Sequence, residues 1–344
     1  MKRFSKAFSS ENDELLRGSI RNQASDFKVD EISSFELTGE GEHVYLHIEK
    51  TGENTDWVAG LLAKIAQVPR KDVSYAGMKD RHAITTQWFS VQMPGKEAPD
   101  WQAQLPASIK ILSETRHNKK LRRGALKGNR FRIIIRDIEG DIEQAKTRCQ
   151  QIKTNGVPNY YGEQRFGRNL NNIESAKNWF SGQFKPKSRP KRSIYLSAAR
   201  SWIFNHLLSQ RITQGTWNQA QKGDVFMLNG SHSCFADDGD TSLTERTQRQ
   251  ELHPTGALWG KGELSSAGDI ATLEQQIAND FKDLTQGLIK HGLKQERRAL
   301  RLAVSEFEYS FDTDKITLNF VLPAGSFATV VFRELGDIND ALSS

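Results

Sequence analysis

The 344-residue chain is 37% hydrophobic and 26% charged, an ordinary soluble composition with material for a sizeable core, and its length favours two domains. Forty-eight Lys and Arg against 42 Asp and Glu give a formal charge of +6, which excludes an acidic solvating chain and tilts partners toward polyanions. The longest apolar stretch, Trp57 to Val68, is interrupted by Lys64, the start of the chain has no apolar h-region, and Cys149 and Cys234 lie too far apart to form a ligand pair or disulfide framework, so a soluble, cytoplasmic protein with no membrane span is expected.

The first zone, residues 19 to 136, alternates strand-like runs with charged turns. Val44, Leu46 and Ile48 fall on one face of a strand, with Tyr45 and His47 on the other. Asn54 to Val68 predicts a helix, with Thr55 as its N-cap and Val58, Leu61, Leu62 and Ile65 at helical spacing. Phe131, Ile133 and Ile135 alternate after a Gly128-Asn129 pair that reads as a turn. Asp141 to Ile152 predicts another helix, with Ile142, Ala145, Cys149 and Ile152 on one stripe.

The middle zone, about Thr154 to Arg301, is more helical and more broken. Ser193 to Ile212 predicts a long buried helix, and Ala271 to Ile289 one amphipathic helix. Residues 213 to 268 are rich in Gly, Ser, Thr and Asp, the composition of short strands and loops. Strand patterns return in Phe307, Tyr309 and Phe311 and in Ile316 to Leu322, followed by a helix-like Ala324 to Leu335. The two ends share a texture that the middle lacks, which fits a helical domain inserted into a sheet-based one.

Basic residues cluster. Lys119, Lys120, Arg122, Arg123, Lys127, Arg130, Arg132 and Arg136 form a run without an acid, and Lys185, Lys187, Arg189, Lys191 and Arg192 form a second around Pro186 and Pro190. Such runs are solvated faces or phosphate-backbone surfaces that act through counterion release, and Phe131, Phe184 and Tyr195 nearby are candidate stacking partners that favour RNA. Metal and cofactor patterns are missing: no HExxH, no GxxxxGK[ST], no strand–GxGxxG–helix unit and no GxSxG. Asp237-Asp238-Gly239-Asp240 lacks the alternating spacing of a calcium loop and reads as an exposed turn.

Two segments stand out beside the strands. Ser74 to Ala83 places Asp80 among Lys79, Arg81 and His82, and Gly156 to Gly167 is dense in glycine, aromatic and amide groups. An aspartate so placed is a turn residue or a carboxylate nucleophile. A binding loop and an unliganded one both remain open for the second segment.

Five motifs in order resemble the TruD-type tRNA pseudouridine synthases: Ser25–Glu31, Ala76–Ala83, Gly128–Phe131, Asn159–Gly167 and Leu322–Thr329, with Lys191–Ser193 and Leu196–Arg200 as further matches. The resemblance covers essentially the whole chain. Met78 and Glu163 depart from the family pattern of Gln and a small residue, and neither is the nucleophile.

The resemblance implies an α+β, V-shaped protein. A catalytic pseudouridine-synthase domain, residues 1–155 and 302–344, would carry a mixed, largely antiparallel sheet flanked by helices, and residues 156–301 would form the inserted α/β (TRUD) domain. It implies isomerisation of uridine 13 of certain tRNAs, the glutamate tRNA among them, without cofactor or metal. Asp80 matches the nucleophile, and Arg21 falls where a basic residue would keep that carboxylate ionised and oriented. Phe131 matches the aromatic that stacks on the base, Asn129 the amide that reads the uracil edge, and Phe27 and Phe327 the remaining apolar walls. The partner expected is tRNA and the chain is expected to be a monomer, since no apolar stretch asks for a partner. The alternative is a non-catalytic RNA-binding or chaperone protein of the same fold, for which an intact Asp80, Asn129 and Phe131 would be superfluous.

Overall fold

The computed structural model describes residues 4–8 and 15–343. The segment read above for a leader spans residues 1–16, and its positions 1–3 and 9–14 lie outside the described residues. The chain divides into two compact units.

One unit comprises residues 15–149, 304–328 and 336–343. Its ten-stranded sheet runs in the order Ser305–Phe311, Lys315–Pro323, Leu126–Glu139, Phe27–Ser33, Ile84–Gln92, His43–Thr51, Ile109–His117. Leu16–Ile20 pairs with Leu126–Glu139 and with Gly336–Asp340, and Val73–Tyr75 pairs with Ile84–Gln92. The sheet is mixed: Phe27–Ser33 runs parallel to Ile84–Gln92, Leu16–Ile20 parallel to Gly336–Asp340, and the other pairs are antiparallel.

Alternation explains the faces. Phe131, Ile133 and Ile135 of the long strand Leu126–Glu139 are buried, while Arg130 and Arg132 point out. Gly128 and Asn129 lie inside this strand and not in a turn, opposite Pro323 and Leu322. A Cβ on Gly128 would stand 2.3 Å from the Leu322 carbonyl oxygen, so glycine serves close backbone approach here. On His43–Thr51, Val44, Leu46 and Ile48 pack with Val58, Leu62, Phe89 and Trp101, covered by the helix Thr55–Ile65. Tyr45, on the opposite face, is buried as well, against Leu121, Phe35 and Trp88. The N-cap of Thr55–Ile65 is Asn54, whose side chain accepts from the Asp56 N–H at 2.8 Å. Thr55 is already helical, and its hydroxyl is spent on a buried bond to Gln87.

The other unit comprises residues 4–8, 150–303 and 329–335. A four-stranded antiparallel sheet, in the order Cys234–Ala236, Val225–Leu228, Leu252–Leu258, Glu296–Ala299, packs with helices, of which Arg189–Thr213 is the longest. That helix begins four residues before the sequence pattern predicts: Ser188 caps it and Pro190 falls in its first turn, where a missing N–H costs nothing. The amphipathic stretch is two helices, Gly268–Asp280 and Lys282–Lys290, broken at Phe281, which leaves helical geometry (φ −117°, ψ 40°). The terminal helix is confined to Thr329–Leu335. Among the described residues, no helix is long and apolar enough to cross a membrane.

Asn159 and Tyr161 of the segment Asn159–Gly167 spend polar groups within this unit. Asn205, fully buried, accepts from the Tyr161 N–H and donates to the Tyr161 carbonyl; Asn159 donates to the Ala299 carbonyl at 2.9 Å. The Arg298 guanidinium lies 4.1 Å over the Tyr161 ring and donates to the Asn159 carbonyl. Asn159 and the Tyr161 backbone and ring thus act as structural ties.

Candidate active site

Asp80 sits in the irregular segment between Val73–Tyr75 and Ile84–Gln92, and buried polar side chains fix that segment. Gln87 donates to the Gly77 carbonyl at 3.1 Å and accepts from the Thr55 hydroxyl, which in turn accepts from the Lys79 N–H at 3.1 Å. The Lys79 ammonium donates to Glu31 at 2.7 Å, and both side chains are buried. Lys50, fully buried, donates to the backbone carbonyls of Asp80 at 3.1 Å and Glu53 at 2.7 Å. Burial pushes its ammonium down to about 8, against the pull of Asp80.

The Asp80 side chain stays 36% exposed. One oxygen accepts the His82 N–H at 3.0 Å, and the other accepts from Arg21 at 2.5 Å. The second arm of Arg21 donates to Asp340 on the strand Gly336–Asp340. Arg21 has a φ of 62°, left-handed backbone unusual for a non-glycine residue, so the chain turns sharply where this guanidinium is delivered. The guanidinium also lies 4.0 Å over the Phe27 ring. Behind this turn, fully buried Asp26 accepts three hydrogen bonds from Arg136. Burial raises the Asp26 carboxyl, but the bonds from Arg136 and Gln23 outweigh it and hold it below its ordinary value.

Strand register gathers the remaining candidates. Glu31, Asn129 and Leu322 form one cross-strand row, and Val29, Phe131 and Phe320 the next on the same face. The Asn129 amide oxygen is buried and has no hydrogen-bond partner among the described residues. Such an acceptor is costly to leave empty and fits a donor brought by a ligand. Phe27 and Phe131 meet edge to face, and Phe131 stacks on Phe320 at 5.2 Å. Phe27 and Phe131 are part of the core, 4% and 6% exposed, whereas Phe327, in the turn before Thr329–Leu335, is 48% exposed and makes no ring contact with them.

Pattern alone missed Asp340, Lys50, Thr55 with Gln87, and the Glu31–Lys79 pair. Glu31 and Lys79 lie inside the quoted motifs, whereas Asp340 follows a short polar stretch with no pattern to mark it. Among the described residues, no group of three or more His, Cys, Asp or Glu is arranged to hold a metal ion. The turn at Asp237–Asp240 uses its carboxylates on its own backbone, at Gly239, Asp240 and Ser242.

A sheet that delivers one ordered, partly exposed aspartate beside an arginine, an unfilled amide acceptor and aromatic rings is an arrangement suited to nucleophilic chemistry on a planar, hydrogen-bonding ligand. The family profile described as tRNA pseudouridine synthase D (TruD) matches residues 8–185 and 169–335. The chain is 48% identical over 320 residues to tRNA pseudouridine synthase D of Hydrogenovibrio crunogenus, covering 93% of this chain and 92% of that protein. It is 48% identical over 321 residues to the protein of that name from Methylococcus capsulatus, covering 93% and 91%. A solved Methanosarcina mazei chain carrying the TruD name shares the fold at a TM-score of 0.75 and 24% identity, covering 94% of each chain. The chain belongs to the TruD family of tRNA pseudouridine synthases.

Proposed function

We propose that this protein isomerises uridine to pseudouridine in tRNA, at uridine 13, with the glutamate tRNA among its substrates and Asp80 as nucleophile. The N1–C1′ glycosidic bond breaks and a C5–C1′ bond forms; C5 loses a proton and N1 gains one, so the reaction balances without redox change. Attack at C1′, addition at C6 and a glycal route each draw on one carboxylate, which Arg21 aims. The observation that carries the reading is the Asp80 side chain, partly exposed yet held by Arg21 and the His82 N–H.

The other residues take supporting roles. Asn129 offers its unfilled oxygen to the uracil imide N–H, Phe131 stacks on a base taken out of its helix, and Phe27 and Phe327 supply the remaining apolar walls. The exposed members of the basic runs position the RNA backbone.

Incubating the wild-type chain with unmodified glutamate tRNA, without added cofactor, and mapping the product tests this. Pseudouridine at position 13, absent when that uridine is replaced by cytidine, is expected. Binding without product would favour the non-catalytic RNA-binding alternative.

A further inference from the structure

A pocket opens on the sheet unit, and Asp80 is not among the residues that line it. It has a volume of about 280 Å³ and is lined by Arg70, Ser74, Tyr75, Lys120, Arg122 and Arg123, together with Val73 and Leu121. That is several times the roughly 30 Å³ a water molecule occupies in the liquid. Four of its lining residues are cations and none is an acid.

The pocket is held in shape. Leu121 is buried and its N–H donates to the Ser90 hydroxyl at 3.1 Å. The Gly124 N–H donates to the Ala76 carbonyl at 2.8 Å, tying the basic loop to the residue that opens the Asp80 segment. The Arg123 guanidinium lies 3.8 Å from the Tyr75 ring centre and that of Arg70 5.8 Å away, while the Tyr75 hydroxyl and Arg70 both donate to Asp56.

These contacts choose the occupant. Tyr75 is 2% exposed, with the Arg123 guanidinium over its ring, so it offers no platform for a base. Arg70 is held by Asp56 and the Val73 carbonyl, and Lys120 gives one donor to the Lys71 carbonyl, so Arg122, Arg123 and the other Lys120 donors supply the positive charge that suits a phosphate. Other members of the same basic run are spent elsewhere, Arg136 on Asp26 and Arg130 on Glu306. Among the described residues, Arg122 makes no ion pair. Tyr75 and Asp80 are five positions apart, a span of at most about 18 Å, so an RNA strand that presents a base to Asp80 passes within reach.

We infer that this pocket binds a backbone phosphodiester of the substrate RNA and registers the strand so that the target nucleotide faces Asp80. The inference rests on the RNA-modifying reading above and narrows it to one subsite.

The test compares full-length wild type, the double variant Lys120→Gln/Arg122→Gln, and Lys64→Gln, an exposed lysine outside the pocket. Affinity for the unmodified glutamate tRNA transcript is measured across salt concentrations, together with kcat and KM for pseudouridine formation. Removing a cation that neutralises one phosphate is expected to reduce the log–log salt slope by about one. The double variant should show that shallower slope and a KM raised severalfold, with kcat within about twofold of wild type; Lys64→Gln should match wild type.

A wild-type slope in the double variant overturns the inference. So does a collapse of kcat with an unchanged slope, which would make these residues supports of the Asp80 segment. A wild-type chain that binds the transcript but makes no pseudouridine would defeat the functional reading, while the slope comparison would still decide the phosphate site.

Discussion

The Arg21 guanidinium joins two carboxylates from distant parts of the chain, Asp80 on one arm and Asp340 on the other, while its plane covers Phe27. Asp340 therefore aims the arginine that aims Asp80. Asp340→Asn is expected to lower kcat on the order of 10–100-fold through misplacement of the nucleophile, with KM for tRNA little changed. Arg21→Lys should do the same, since an ammonium cannot span both carboxylates. Steady-state kinetics with the tRNA transcript checks both, and a change confined to KM would contradict the positioning role.

Asn129 carries an acceptor that the folded protein leaves empty. Asn129→Leu removes that burden, so its thermal stability should equal or exceed wild type while kcat/KM falls on the order of 10–100-fold. Thermal denaturation beside kinetics tests the pairing of these outcomes. A loss of stability would mean that the amide serves the fold.

Gly128 faces the backbone of Leu322. Gly128→Ala forces the strands Leu126–Glu139 and Lys315–Pro323 apart, which should cost about 1–3 kcal/mol. Because Asn129 and Phe131 ride on the same strand, activity should fall with it. Denaturant unfolding gives the first number, and full stability would contradict the close approach.

The Asp26–Arg136 pair sets an acid dependence. The carboxyl lies below its ordinary 3.8 in the folded protein, so on acidification the unfolded chain takes up this proton first. The pair's stabilisation is thus complete above that ordinary value and is lost as pH falls through the folded one. Asp26→Asn should cost about 1.5–3 kcal/mol at neutral pH and flatten the stability profile below pH 4. Unfolding measured from pH 3 to 7 tests it, and an unchanged profile would contradict the assignment.

Much of the sheet was legible because alternation survives wherever one face is dry, as in Phe131, Ile133 and Ile135. The Gly128-Asn129 pair misled, since its turn chemistry is local and the reason for the glycine is Leu322, far along the chain. Phe281 looked like one more apolar position of a single helix, and only the packed structure shows the chain leaving helical geometry there. The proline-rich, basic lead into Arg189–Thr213 hid a helix start that a serine cap and an early proline support. At the site, Asp80 was visible as a carboxylate among cations, and the resemblance named Arg21. Asp340 and Lys50 were not legible, because one acts across more than 250 positions of sequence and the other is a lysine whose burial no pattern announces.

The central claim is that the Asp80 carboxylate performs the chemistry. Single-turnover conversion of bound glutamate tRNA by wild type and Asp80→Asn tests it most directly, since the amide keeps the shape and loses the nucleophile. Unchanged tRNA binding and no detectable pseudouridine are expected from the variant. Product formed by Asp80→Asn at the wild-type rate would contradict it.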